Sequence, residues 1–328
     1  MSTSSNDQGR AYEYAWINSL CKELSKVVET EIVANSSLNA NKRAWDSVDE
    51  HDKDLFIASS DSAVKTIIEL EPCMVENNGE KLLLEFQKDA AGKQGDVRDI
   101  LISRKNMQWE IGLSIKHNHE AVKHSRLSHK LDFINEWLGM SCSEEYWNKV
   151  RPIFDKLKEL KNEKKKWAEL NDEKVDCENS NYKDLKIYRP LLQAFIEEIE
   201  RVCRQNDSTP RKLIEYLIGT NDYYKVVSCD KENLTLIHSF NIHGTLNKPS
   251  TVKVSAIRVP IVQLPTELIL LKFKPGSNNT VEMYLNNGWQ LSFRIHNAST
   301  YVEPSLKFDI QFISMPLCVL NLVCKWEK

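Results

Sequence analysis

Asp99 and Lys116 stand at the two ends of a stretch that reads as one β-hairpin, and together they are suited to phosphate chemistry. The segments 95–102 and 109–116 are strand-like, and a short polar turn from Arg104 to Gln108 joins them. Position numbers across an antiparallel ladder have a constant sum. If Arg104 opposes Trp109, then Asp99 faces Ser114, and Lys116 follows two residues on along the same face. An acid beside a lysine can hold a divalent metal and stabilise a phosphate. Phosphodiester cleavage needs a metal to activate water and to balance charge on the pentavalent phosphorus, and a lysine to bind the attacking water or a nonbridging oxygen. Mg²⁺ usually takes only one or two protein carboxylates, so a small acidic cluster suffices.

The elements that must position these groups come from a chain of 328 residues, 41% hydrophobic and 28% charged, with a formal net charge of −3. That is enough chain for one large domain or two modest ones. A nucleic-acid binder with this balance must concentrate its basic residues on one face. No apolar run reaches the roughly 20 residues that span a bilayer, and the start, MSTSSNDQGR, lacks an apolar signal-peptide region. A cytoplasmic location without membrane contact is expected. The eight cysteines are scattered, with no CxxC pair and no zinc spacing, and are expected to be reduced thiols.

Apolar spacing predicts helices over 9–30 and 59–70, before the hairpin, and over 120–138 after it. The stretch 144–176 reads as helical and heavily charged, with Lys164, Lys165 and Lys166 in a row. A solvated helical hairpin arm is favoured there, with a DNA-clamping or dimerising arm as the other reading. A further helix is expected over 189–205, with Pro190 near its start. Beyond 222 the runs 226–229, 234–240, 251–259, 267–273, 280–285, 289–295 and 306–313 read as strands, and Asn287-Gly288 marks a hairpin.

The hairpin resembles the active-site hairpin of the PD-(D/E)xK nuclease superfamily, in which an Asp begins one strand and an acid-x-Lys ends the next. Here Asp99 takes the first place, after Arg98 rather than Pro, and Ser114-Ile115-Lys116 takes the second. Ser114 cannot replace a charged ligand, so a carboxylate from another element must complete the site. Glu13 opens the first helix and resembles the N-terminal helix glutamate that completes the metal site in many relatives. Glu85, in Leu83-Leu84-Glu85-Phe86-Gln87, and Glu120, shortly after Lys116, are the other candidates. Asp96 is either a metal ligand or a shaper of the turn before the strand. Glu110 should pair near Ser103 and is taken as structural.

Beyond the second strand run His117-Asn118-His119-Glu120-Ala121-Val122-Lys123-His124-Ser125-Arg126. Cationic and amide donors suit phosphate oxygens and base edges, which makes Asn118, His119, Lys123, His124 and Arg126 candidate DNA contacts. Arg294, His296 and Asn297 end a β-run, with Lys307 shortly after. They are either DNA contacts or ordinary exposed strand residues, whereas Trp289, Phe293 and Phe308 are expected in the core. The strings 8–13, 95–128, 288–299 and 302–308 resemble type II restriction endonucleases of the HaeIII family.

That resemblance implies an α/β fold, with a PD-(D/E)xK core over 1–222 (a mixed sheet flanked by helices) and a β-rich DNA-recognition part over 223–328. It implies Mg²⁺-dependent cleavage of double-stranded DNA at GGCC, leaving blunt ends. It also implies pairing with a cognate DNA methyltransferase. A palindromic target suits a homodimer related by the DNA dyad, a monomer cutting twice being the other arrangement. Two competing functions are a repair or recombination nuclease of little sequence preference, and a noncatalytic DNA-binding protein on a degenerate nuclease fold.

Overall fold

The computed structural model describes residues 5–88, 95–118, 122–172, 182–251 and 253–327. In chain order the elements are α1 (Ser5–Leu24), β1 (Thr30–Ile32), α2 (Ser36–Ser47), α3 (Glu50–Leu70), β2 (Leu82–Phe86), β3 (Ile100–Arg104) and β4 (Trp109–His117). Then come β5 (Lys123–Ser128), α4 (Phe133–Leu138), α5 (Glu144–Asn162), α6 (Trp167–Asp172), α7 (Arg189–Gln205) and α8 (Thr209–Ile218). Seven strands complete the chain: β6 (Tyr223–Cys229), β7 (Leu234–Phe240), β8 (Leu268–Phe273), β9 (Thr280–Leu285), β10 (Gln290–His296), β11 (Ser305–Ser314) and β12 (Asn321–Lys325) follow one another, the first two before the long connection at 241–267.

Two compact units interleave in sequence. One comprises 1–120, 219–263 and 317–328, and the other 121–218 and 264–316. These boundaries cut across the division at residue 222 expected from composition. The reason is pairing: β6 lies parallel to β4, and β7 and β12 extend the same sheet, whereas β5 joins the later strands β8 to β11.

The first unit is built on a mixed seven-stranded sheet in the order β1-β2-β3-β4-β6-β7-β12. One face of it carries Leu82, Leu84, Phe86, Ile100, Ile102, Ile111, Leu113 and Ile115, all buried. Tyr12, Trp16, Leu20 and Leu24 of α1 and Phe56, Ala63, Ile67 and Leu70 of α3 belong to the same core cluster. Their three- and four-residue spacing gives each helix one apolar stripe. Asn35 and Asp49 start α2 and α3 by accepting bonds from the amides of Leu38 and Asp52. The hairpin register is the expected one, with Arg104 opposite Trp109, Ser103 opposite Glu110 and Ile100 opposite Leu113.

The second unit holds a five-stranded antiparallel sheet in the order β5-β11-β10-β9-β8. Its buried face includes Leu127, Leu291, Phe293, Ile295, Leu306, Phe308 and Ile310, and Phe195 of α7 packs on Phe293 and Phe308 with ring centres 5.5 and 5.1 Å apart. Trp289, Phe293 and Phe308 are core, as expected. The Asn287-Gly288 hairpin is present between β9 and β10, with φ of +58° and +88° at its two residues.

Two sequence expectations are corrected, and a third takes a definite form. The stretch 120–138 is not one helix: 123–128 pairs with β11, burying Ser125 and Leu127 and exposing Arg126 between them, before the six-residue α4. The charged stretch 144–176 breaks after Asn162, where Lys164 turns the chain with φ +56°. No described residue of 251–259 lies in a strand. Prolines at 249 and 260 bracket that run, and Ser255 bonds to the backbone of Ile257 instead. None of the described cysteines forms a disulfide, and Cys177 lies outside the described residues. Among the described residues no helix is long and apolar enough to cross a membrane.

Gly112 is the point where β4 lets another side chain cross it. A Cβ built there would lie 2.1 Å from Cδ and 2.9 Å from Cβ of Arg98, so the residue must lack a side chain. Gly112→Ala is therefore expected to unseat Arg98 and to cost about 1–3 kcal/mol, as overpacking of a filled site does. Urea unfolding monitored by circular dichroism would measure it, and an unchanged midpoint would refute the account.

Candidate functional site

The hairpin delivers its three polar residues to one place. Asp99 sits just before β3, and its amide donates to Leu113 O at 2.7 Å, which continues the register to Ser114. Its carboxylate Oδ2 accepts three bonds: from Lys116 Nζ at 3.0 Å, from the Ile115 amide at 2.6 Å and from Ser114 Oγ at 3.3 Å. Among the described residues no hydrogen bond reaches Oδ1, which stays available to a ligand. Burial alone would make Lys116 easier to deprotonate. The Asp99 carboxylate overrides this and holds the ammonium above its ordinary pKa. Lys116 is thus a fixed cation at neutral pH, suited to stabilising a phosphate rather than to accepting a proton.

Glu13 reaches this pair from α1. Burial and the charge of Asp99 raise its pKa to about 8, while Lys116 and a 2.7 Å bond from Asn41 Nδ2 pull it the other way. Two carboxylates that repel one another beside a single lysine form a donor set with room for one hard cation. The residues present therefore fit a divalent metal. Among the described residues no cluster of three or more His, Cys, Asp or Glu could hold one, so the fit is to a two-carboxylate site.

Glu85 lies on β2 opposite Leu101, on the same sheet face as Asp99 and diagonal to it, where Asn35 Nδ2 donates to it at 3.3 Å. Asp96 is engaged elsewhere. Arg98 Nε and Nη2 donate to its two oxygens at 2.8 and 2.7 Å, and Gln87 Nε2 adds a third bond at 2.7 Å. Arg98 Nη1 also takes up Glu110 at 2.8 Å. This single arginine, lying over Gly112, binds both acids. Glu120 and His119 lie outside the described residues.

Several of the candidate DNA contacts are tied within the fold. Asn118 donates to Asp230 Oδ2 at 2.7 Å and accepts from the Asp230 amide at 2.9 Å, while His117 Nε2 lies 2.7 Å from the same carboxylate. These bonds fasten the end of β4 to the end of β6. Lys123 Nζ donates to Tyr216 O at 2.9 Å and lies 3.5 Å from the centre of its ring. Asn297 is bonded to Tyr188 through both its amide and its Oδ1.

The remaining candidates fall on one face of the five-stranded sheet. His296 pairs with Lys307 and Lys307 with Arg126, a row across β10, β11 and β5. The next row on that face runs Arg294, Asp309, His124, with Arg294 Nη2 held by Asp309 at 3.0 Å. The side chain of His124 is outside the described ones. Segments about 180 residues apart are thereby made neighbours.

Sequence reasoning missed Asn41 and Asn35, which hold the two candidate glutamates, because the α2 region carries no motif. It also missed Lys225, a buried residue that the parallel pairing of β6 puts beside Ser114. A lysine within the apolar run Tyr223-Tyr224-Lys225-Val226-Val227 was the available signal.

Comparison with known proteins gives a consistent picture. The model of the HaeIII restriction endonuclease family matches residues 9–316. The Type II restriction enzyme HaeIII of Haemophilus aegyptius is 47% identical over 329 aligned positions, covering all of both chains. No solved structure matches the chain.

The raised pKa of Glu13 has a consequence for stability. Between its unfolded value near 4.5 and its folded value of about 8, the folded state keeps a proton that the unfolded state has lost. Stability must then fall as pH rises through that window. In metal-free buffer Glu13→Gln is expected to gain in melting temperature over wild type as pH goes from 5 to 9. A pH-independent difference would contradict the assigned environment.

Proposed function

Because the chain belongs to the HaeIII restriction endonuclease family, it is a type II site-specific deoxyribonuclease, and we propose that it cuts double-stranded DNA at GGCC. The observation that carries the assignment of chemistry is the contact of Lys116 with Asp99 at the end of a hairpin, with Glu13 beside them. This arrangement supports reading the first unit as a PD-(D/E)xK core in which Ser114 occupies the usual acid position.

A divalent cation serves this class of enzyme, and Mg²⁺ is the proposed one. Asp99 and Glu13 would hold it, with Glu85 as an outer acid; bound there, it would lower the pKa of water and balance charge on the phosphate. Lys116 would bind a nonbridging oxygen or the attacking water. Ser114 and the Ile115 amide keep Asp99 Oδ2 oriented, so the carboxylate does not have to reorganise when substrate arrives. The half-buried Glu13 must shed its proton before it can serve as a ligand, a reason to expect cleavage to improve from mildly acidic to mildly alkaline pH.

DNA reading is assigned to the polar face of the second unit's sheet, chiefly Arg294, His296, Lys307 and Arg126, with His124 in the adjoining row. Arginine bidentate to guanine is the commonest specific base contact, and GGCC offers four guanines in the duplex. A twofold-symmetric site suits a homodimer on DNA. A cognate methyltransferase acting on the same sequence would spare the host's own sites, and both would work in the cytoplasm.

Asp99→Ala and Lys116→Ala are each expected to lower cleavage about 100-fold or more while leaving duplex binding largely intact. Retained cutting by either variant would refute the assignment of the site. Wild-type digestion of plasmid DNA should give discrete bands that end at GGCC; a smear would point to a nuclease without sequence preference. Sedimentation equilibrium with a GGCC duplex is expected to show two protein chains per duplex, and one chain would overturn the dimer.

A further inference from the structure

We propose that the turn between α5 and α6 grips the phosphate backbone of duplex DNA through Lys164 and Lys166, continuing the row of Arg126, Lys307 and His296. The inference rests on the DNA-cleaving function above and adds a contact that function does not require.

The turn is built onto the end of the sheet. The Trp167 amide donates to Thr300 O at 3.1 Å, the Val302 amide donates to Lys165 O at 2.9 Å, and Lys166 pairs with Tyr301 as an isolated antiparallel bridge. Thr300, Tyr301 and Val302 belong to the loop that leaves β10 at His296 and enters β11 at Ser305. Pro304 in that loop lies against His129, just beyond β5, through its carbonyl, 3.2 Å from Nδ1. The buried Trp167 anchors the turn from within. The lysine turn and the start of the His296–Lys307–Arg126 row are thus fixed to one short loop.

The charges of this turn differ from those of the helix before it. On α5, Lys149, Lys156 and Lys158 each lie within 3.2 Å of an acid three or four residues away. That is the pattern of a solvated, self-neutralised helix face. Lys165 follows it with Glu169. Among the described residues Lys164 and Lys166 make no ion pair, nor does Lys307, and Arg126 donates only to the neutral Ser305 hydroxyl. Glu163 and Glu303 flank the turn and the loop, and four cations outweigh them. Lys164 also adopts φ +56°, a conformation that glycine or asparagine takes at lower cost. A lysine kept at such a position, on a backbone pinned by three strand-like contacts, is a presented cation rather than a frayed helix end. Contacts of this kind fix a protein's register on the duplex without reading sequence.

The test compares wild type with Lys164→Ala/Lys165→Ala/Lys166→Ala on a GGCC duplex and a scrambled duplex, in EDTA, across about 50–200 mM salt. Each lost phosphate contact lowers the slope of log Kd against log salt by about 0.9. The expected result is a slope smaller by about 2, an equal loss of affinity for both duplexes, and an unchanged set of digestion bands. Lys149→Ala/Lys156→Ala/Lys158→Ala should leave the slope as in wild type. Lys164→Gly keeps the backbone of the turn, removes one charge and should lower the slope by about 1. An unchanged slope in both the triple and the glycine variant, with wild-type digestion at GGCC intact, would overturn this inference alone. Wild-type failure to cut DNA would overturn the function on which it rests.

Discussion

A carboxylate and an ammonium held 3.0 Å apart at the open end of the β3–β4 hairpin set the terms for the first unit. Like charges nearby must be either recruited or neutralised. Glu13 is recruited, at the cost of a pKa raised to about 8. Asp96 and Glu110 are neutralised by Arg98, which Gly112 admits across the strand. The parallel strand β6 then brings Lys225 beside Ser114, so the face that carries Asp99 and Lys116 gains a buried lysine where the motif lacks an acid. Helix α1, Asn35, Asn41 and the bare Gly112 all hold a small number of charges at fixed separations in the sheet.

The hairpin was legible in the sequence because its register depends only on local pairing, and Arg104 opposite Trp109 follows from turn length. Most strands after residue 222 were legible for the same reason, being short runs bounded by strong turn residues. What could not be read was which sheet each strand joins. Strand β5 looks helical in isolation and becomes a strand because β11 offers it a partner nearly 180 residues later. Likewise Asn41 says nothing until α2 is packed on α1, and Asp96 looks like a ligand until Arg98 is seen to hold both of its oxygens. Long-range pairing and ion pairing decided these cases, and neither has a periodicity to read.

The second unit shows a different economy. One face of its sheet buries aromatic residues against α7, and the other carries a row of three basic side chains from strands distant in sequence. Residues that seemed equivalent as polar donors separate once their partners are known. Asn118, Asn297 and Lys123 are spent on the fold, through Asp230, Tyr188 and Tyr216. Arg126 is exposed and bonded only to a hydroxyl, and the half-buried Lys307 makes no ion pair among the described residues. The distinction lies in satisfied versus unsatisfied charge, which composition cannot express.

The interleaving of the two units also bears on how the enzyme is born. Strand β4, which carries Lys116, borders β6, which is synthesised about a hundred residues later, and the same sheet is finished only by β12 at the end of the chain. Pairings this distant in sequence form slowly and late. A nascent or truncated chain therefore holds its lysine and aspartate on an unfinished edge. The sheet that carries Asp99 and Lys116 is complete only once β12 has left the ribosome.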